Sequence, residues 1–350
     1  MERKDLLSLV DKLEETKSLL IEEYMALLEG YQSSLAEYAA KKAVEAREKI
    51  YGKKVYIRGL IEISNICKND CYYCGIRKSN GNCKRYSLTK EEILKCCDQG
   101  YELGFRTFVL QGGEDGYFSD AVLCDIVSAI HTRYSDCAIT LSMGERSRES
   151  YEKLLLAGAN RYLLRHETAQ KEHYNTLHPS HMSYEGRMQC LKDLKELGFQ
   201  TGCGFMVGSP GQSVENLAKD LKFVEEFQPA MCGIGPFIPH KDTIFKDEKA
   251  GSVELTCYLL SLIRLMHPNI LLPATTALGT LDESGREKGI MAGANVVMPN
   301  LSPTTVREKY ELYNNKASVG AEAAEGLEEL RRRMHLIGYE IVCDRGDIII

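Results

Sequence analysis

No stretch of this 350-residue sequence is apolar enough for long enough to cross a bilayer, so no membrane association is expected. A basic excess is missing too. Lys and Arg total 44 against 50 Asp and Glu, a formal charge of −6. That balance argues against an electrostatically driven nucleic-acid binder. There are no long like-charge runs, and "RRRM" at 331–334 reads as the solvated face of a helix. The opening "MERKDLLSLVDKLEETKSLLIEEY" carries charges throughout and has no small-residue cleavage site. It therefore reads as helix and not as a signal peptide, and the expected compartment is the cytoplasm. No low-complexity linker divides the chain. No G-x-G-x-x-G or Walker A motif follows any predicted strand, which removes the usual signature of an open nucleotide-binding sheet.

What is present is an alternation. After two predicted helices at about 3–29 and 33–50, short β-branched runs at 55–64, 107–113, 138–144, 161–167, 201–208, 231–238, 269–276 and 295–300 read as strands. Amphipathic runs at 89–103, 119–134, 147–157, 183–197, 213–227, 252–267 and 284–291 read as helices. Thr89, Ser119, Ser147, Ser183 and Ser213 stand at their N-caps, and Gly104, Gly158, Gly198 and Gly293 stand where helices should stop. Eight strand–helix units predict an α/β fold, a (β/α)8 TIM-type barrel with extra N-terminal and C-terminal helices. The expected division is a helical extension at 1–52, the barrel at 53–305, and C-terminal helices with a tail closing the barrel at 306–350.

In such a barrel the site lies at the C-terminal ends of the strands. There the chain places "NICKNDCYYCG", "QGGED", "TLSMGE", "RHETA", "MVGSPGQS", "GPFIPH" and "PATTALGT", whereas the opposite loops, such as "ELGFR", are short and plain. Cys67, Cys71 and Cys74 form C-x3-C-x2-C. A structural zinc site or a ferredoxin-type cluster wants four ligands, and no fourth follows at a convincing spacing. Three thiolates leave one metal position open for a reactant. The other cysteines of the 13 read mostly as small buried hydrophobes, with Cys203 and Cys232 closest to the rim. A disulfide framework is not expected in that compartment.

This triad, with aromatic Tyr73 before its third cysteine, resembles the radical S-adenosylmethionine (SAM) superfamily, and "GGED" at 112–115 resembles its GGE segment. The segments "EISNICKNDCYYCGIR", "LQGGED", "RYLLRHETA", "MVGSPGQ", "GIGPFIPHKDT", "PATTALGT" and "ANVVMPN" resemble, in order, the HydE-type FeFe-hydrogenase maturases within it, over about residues 60–315. The resemblance implies one 4Fe–4S cluster on the three cysteines, with SAM chelating the open iron. It implies SAM contacts from Tyr73, Gly112, Gly113, Glu114, Ser142, Arg165, Glu167, Arg187, Met231 and Tyr310. It further implies a substrate chamber bordered by Gln111, Thr140, Arg165, Thr275, Thr276 and Tyr313. The implied substrate is an organometallic or other small molecule, by class a cysteine-ligated iron complex with CO and cyanide. A reductant protein such as ferredoxin or flavodoxin and other hydrogenase maturases are the implied partners.

Some relatives carry a second cluster on a C-terminal C-x7-C-x2-C motif. Here the region reads "YELYNNKASVGAEAAEGLEEL", without cysteine, and no second cluster is expected. Gly112 stands where some relatives have serine, so a hydroxyl contact to SAM would be missing. The residues also admit other readings: an enzyme resembling methylornithine synthase or biotin synthase, or a non-catalytic iron–sulfur carrier. Locally, Arg165–Glu167 could be a strand-end ion pair and Thr275–Thr276 a helix cap.

Overall fold

A computed structural model describes residues 3–317 and 322–349 of the protein. Part of the expected C-terminal region, 318–321 and residue 350, lies outside the described residues. The N-terminal run forms three helices, Arg3–Thr16, Ile21–Glu29 and Ser33–Tyr51, where the periodicity suggested two. The extra break is made by tertiary contact. Lys17 takes a left-handed backbone (φ 63°), and Glu225 on the helix Val214–Phe227 accepts from Ser18 Oγ, Leu19 N and Tyr24 Oη at 2.7, 3.2 and 2.7 Å.

The strands, in chain order, are β1 (Lys54–Ile57), β2 (Gly59–Ser64), β3 (Thr107–Gly112), β4 (Ala138–Ser142), β5 (Arg161–Leu163) and β6 (Gln200–Cys203). They continue as β7 (Met206–Val207), β8 (Met231–Cys232), β9 (Gly235–Pro236), β10 (Val296–Val297) and β11 (Glu340–Val342). A parallel six-stranded sheet runs β2-β3-β4-β5-β6-β8. Single bridges Met231–Leu271, Pro273–Val296 and Leu60–Asn300 then carry the circuit back to β2. The fold is a TIM-like α/β barrel. The seventh expected strand, 269–276, is extended chain with isolated bridges. Pro273 has no N–H to give a ladder, which accounts for part of that.

Three expected strands are interrupted. The run 55–64 divides at Arg58, with β1 pairing β10 and β11 while β2 pairs β3. The runs at 201–208 and 231–238 divide near Gly204 and Gly233, and their outer halves, β7 and β9, pair separately. A Cβ on Gly204 (φ 157°) would sit 2.1 Å from the Gly233 carbonyl oxygen, so the two chains cross where only glycine fits.

Strand alternation separates a packed wall from a lumen. Phe108, Leu110, Ile139, Leu141, Tyr162, Leu164, Cys203, Phe205, Cys232 and Ile234 lie in the main hydrophobic core under the helices. Their alternates, including Gln111, Thr140, Ser142, Arg161, Leu163, Arg165, Gly202 and Gly233, therefore face the interior. Most TIM barrels fill that space with branched side chains. Here glycines make room for such side chains: a Cβ on Gly233 would touch Leu163 (3.8 Å) and Pro273 (3.9 Å), and one on Gly202 would lie 2.5 Å from Leu163 and 3.1 Å from Met231.

The C-terminal tail seals the other end. Strand β11, which the sequence pattern left as tail, pairs in parallel with β1. Beyond it, buried Arg161 donates to the carbonyls of Arg345 and Gly346 at 2.9 and 3.1 Å and to Asp347 Oδ1 at 2.6 Å. Gln200 Nε2 reaches the same carboxylate at 2.9 Å. Burial alone would raise the Asp347 pKa, but hydrogen bonds from Arg345, Gln200 and Arg161 outweigh it and hold the carboxyl below its ordinary 3.8. A depressed folded-state pKa means that this contribution is complete above pH ~3.8 and is lost as pH falls through the folded value. Asp347→Ala is expected to lower unfolding free energy at pH 7 by about 1 kcal/mol, reduced by solvent screening of the partly exposed carboxylate. It should also remove that component of the acid limb. Urea unfolding of both proteins at pH 7 and along the acid branch checks this.

Candidate active site

The three cysteines lie on the long loop after β2, a stretch with turns but no regular structure. Its shape is imposed from within and from beside. The Arg85 guanidinium donates to four carbonyls, those of Asn65 (2.6 Å), Ile76 (2.7 Å), Arg77 (2.6 Å) and Asn80 (3.2 Å). Asn80 Nδ2 closes the turn on the Gly75 carbonyl at 2.7 Å. From outside, Tyr72 N donates to the Leu177 carbonyl at 3.0 Å, and Gly75 N to the Leu312 carbonyl at 2.8 Å. The Tyr73 hydroxyl is 3.3 Å from His178 Nε2; His178 Nδ1 lies 2.9 Å from the Tyr174 carbonyl, which leaves Nε2 as the acceptor. Neither Arg85 nor His178 was marked by the sequence, because a residue that binds carbonyls in an irregular loop leaves no periodicity.

Burial, followed by the neighbouring thiols, raises the pKa of Cys71 well above 9.0 and pushes Cys74 up to about 12. Cys67 is raised as well, mainly by burial, although the Glu114 N–H reaches its sulfur at 3.4 Å. The free loop thus holds three protonated thiols, and a bound metal would have to displace three protons. Among the described residues no three His, Cys, Asp or Glu side chains are already gathered at metal-ligating distance. Neutral thiols have no attraction to draw them together.

The GGED segment passes directly beneath this loop. A Cβ on Gly113 would stand 2.2 Å from the Ile66 carbonyl oxygen and 2.8 Å from Cys67 Cβ, so the glycine is set by the crossing of the two chains. Gly112 ends β3, and an added Cβ there would lie 3.2 Å from the Ser64 carbonyl oxygen. Glu114 is engaged by protein: its Oε1 accepts from Glu145 N at 3.0 Å, and Lys68 Nζ is 2.9 Å from Oε2.

Opposite the loop stand Arg165, Glu167 and Arg187. Arg187 Nε bonds Glu145 at 2.5 Å and its Nη1 bonds the Arg165 carbonyl at 2.6 Å. Glu145 was not singled out from sequence. Glu167 and Arg187 both lie within electrostatic reach of Cys71 and Tyr73. Arg165 Nη2 and Glu167 Oε2 form an ion pair at 3.6 Å, the strand-end pair the sequence admitted, and neither these atoms nor Arg165 Nε makes a hydrogen bond. That leaves buried hydrogen-bonding capacity of both signs, which is compatible with a ligand bearing both charges, such as SAM beside an iron–sulfur cluster.

Deeper in the lumen, Thr140 Oγ1 and Thr275 Oγ1 are likewise buried without partners. Thr275 is also the N-cap residue of the helix Thr276–Leu281, but its hydroxyl makes no cap bond. Ser142 ends β4 in register with Gln111, whose Nε2 is 3.4 Å from the Tyr310 hydroxyl. Tyr313 is half-buried beside Thr280 and Glu322. Met231 departs from the expected SAM contacts. It starts β8 at the opposite end of the barrel and packs with Tyr51, Tyr56, Leu271 and Val296, and its sulfur is 2.8 Å from Arg58 Nη1. The first residue of a parallel strand cannot reach the C-terminal rim.

Comparison with known proteins agrees with this arrangement. The model of the radical SAM superfamily matches residues 61–224. The HydE subunit of FeFe-hydrogenase maturase from Thermotoga maritima is 44% identical over 319 residues, 91% of this chain and 90% of that protein. The chain belongs to the HydE branch of the radical SAM superfamily. It is a radical SAM enzyme, and the family carries a 4Fe–4S cluster and SAM. A 3-methylornithine synthase from Methanosarcina acetivorans is 27% identical, covering 77% of this chain and 80% of its own. The crystal structure of a methylornithine synthase superposes with TM-score 0.82 at 26% identity, over 95% of this chain and 97% of that one. The maturase HydG superposes with TM-score 0.80, over 97% of this chain and 76% of that one; at 22% identity this speaks for the fold alone.

Two substitutions test how the loop is held. Gly113→Ala forces the GGED crossing apart, and Arg85→Ala leaves four carbonyls without their donor. Both variants are expected to fold yet retain less than half the wild-type iron after anaerobic reconstitution, as read by iron and sulfide content per chain.

Proposed function

We propose that the protein uses a single 4Fe–4S cluster on Cys67, Cys71 and Cys74 to cleave SAM reductively in the assembly of the FeFe-hydrogenase active-site cluster. The proposed substrate is a cysteine-ligated iron complex with CO and cyanide; a ferredoxin- or flavodoxin-type protein would supply electrons, and other hydrogenase maturases would be partners. When bound, a reduced cluster would supply one electron to the SAM sulfonium, whose C–S bond would break to give methionine and a 5′-deoxyadenosyl radical. The observation that carries the reading is the set of buried polar atoms without hydrogen-bond partners on Arg165, Glu167, Thr140 and Thr275. Nothing in an ordinary packed barrel needs them.

The chain's own residues divide the work by depth. Tyr73, Glu167 and Arg187 surround the loop and suit the amino-acid and ribose portions of SAM, with Arg165 between the two zones. Thr140, Thr275 and the Arg165 guanidinium suit a carboxylate or small anion lower down, where hydroxyl and guanidinium donors orient it without moving. The tail and the helices exclude water, which a primary radical requires. An enzyme making methylornithine or biotin has weaker support, since those relatives share 27% identity or less against 44% for the hydrogenase maturase. A non-catalytic carrier would hold a cluster but leave SAM intact.

Anaerobic reconstitution, followed by strong reduction with SAM present, should yield 5′-deoxyadenosine, and Cys71→Ser should abolish it. A full cluster complement with no SAM cleavage would sink the enzymatic reading in favour of a carrier. A second variant separates the two depths. Gly233→Val adds bulk beside Leu163 and Pro273 inside the barrel, so SAM cleavage should persist while substrate-dependent turnover falls by roughly 10²-fold through misplacement. Paired assays of 5′-deoxyadenosine and substrate consumption read the split.

A further inference from the structure

The RHETA segment contains an anomaly that the SAM-facing residues do not explain by themselves. Glu167 has φ 66°, a left-handed backbone that a glutamate adopts only when its surroundings force it. Its two chain neighbours point away from the SAM side, into the wall. His166 is fully buried against the rings of Phe205 and Phe223, with centroids 5.7 and 4.6 Å away. Its Nδ1 accepts from Gly204 N at 3.3 Å, while Glu167 N donates to the Gly204 carbonyl at 3.0 Å. With Nδ1 accepting, the imidazole proton is on Nε2, and Nε2 faces Asp220 Oδ1 at 3.4 Å. The same carboxylate oxygen accepts from Ala169 N at 2.5 Å.

Asp220 comes from the middle of the helix Val214–Phe227, on the far side of the wall, and is itself fully buried. A carboxyl group there is costly to bury. Burial raises its pKa well above 3.8 and lowers that of His166 to about 3, so the imidazole is neutral at physiological pH. Neither residue touches the lumen or the cysteine loop. What the surroundings do is bracket residues 166–169 from behind: Asp220 accepts from Ala169 N, Gly204 bonds both His166 and Glu167, and His166 Nε2 lies against Asp220 without a hydrogen bond, so the turn between them is left no freedom to relax. Helix Val214–Phe227 would pack as well with leucine at that position, if packing were its only demand.

We propose that Asp220 is a positioning residue for SAM: by accepting from Ala169 N it pins the turn that holds Glu167 in its left-handed conformation with its carboxylate turned towards the cysteine loop. This rests on the reading that Arg165 and Glu167 bind SAM. The mechanism is mechanical: with Asp220 removed, the Ala169 N–H loses its acceptor, the turn relaxes towards ordinary backbone, and Glu167 swings out of place.

The test uses the reconstituted full chain and measures the KM for SAM in 5′-deoxyadenosine formation, beside iron content. Asp220→Ala should raise the KM for SAM at least tenfold with iron content unchanged. Asp220→Asn, whose amide oxygen still accepts from Ala169 N, should restore the KM to within about threefold of wild type. In a Glu167→Gln background, which should itself raise the KM, Asp220→Ala should add less than threefold, because the group it positions is already altered. His166→Phe keeps the ring packing but removes both nitrogens; it should shift the KM in the same direction and serves if Asp220→Ala does not fold. A wild-type KM in Asp220→Ala or His166→Phe, beside a raised KM in Glu167→Gln, overturns the positioning role alone. An unchanged KM in Glu167→Gln overturns the SAM-site reading, and this inference with it.

Discussion

The structure depends on the parallel circuit of strands that closes the barrel. A barrel of this size ordinarily fills its interior with side chains, and an empty apolar lumen would forfeit the contacts that hold it closed. Here the inward positions Gly202 and Gly233 make room for Leu163, Met231 and Pro273. Outside, residues such as Leu110, Leu141, Tyr162 and Cys203 pack under the helices. The interior is therefore packed where side chains are withheld by glycine, and its rim and floor are closed by other means.

Both ends are closed by an arginine. At the floor buried Arg161 fixes the tail by charge-assisted hydrogen bonds, reinforced by a parallel strand that pairs with β1. At the rim the Arg85 guanidinium gives charge-assisted bonds to four carbonyls of the cysteine loop, and the chain passes beneath that loop at Gly113. Burial keeps the three thiols protonated, so they have no attraction that would shape the loop, and Arg85 shapes it without them. Between rim and floor, Thr140 Oγ1 and Thr275 Oγ1 are buried without hydrogen-bond partners.

Much of this was legible in the chain. The cysteine spacing, the polar rim segments and the capped helices follow local rules, and local rules leave patterns in sequence. The helices expected from 89–103 to 252–267 appear within a residue or two of those limits. The errors were of another kind. The extra break at Lys17 comes from Glu225, some 200 residues away. The isolated bridges of the seventh strand, the separate β7–β9 pair and β11 all depend on which chain lies alongside. Met231 was assigned to SAM by resemblance, yet its place at the start of a strand puts it at the floor.

By itself the sequence determined the alternation of elements, the rim where its polar segments gather, and the C-x3-C-x2-C spacing, because each depends on residues close together in the chain. Only the tertiary structure decided that Gly113 is glycine for a chain crossing, that Glu145 completes the Arg187 contact, and that Asp220 stands behind Glu167. Those pairings join residues tens of positions apart with no periodicity between them. Their physical cause, the shortage of partners for a buried polar group, exists only after the chain has folded.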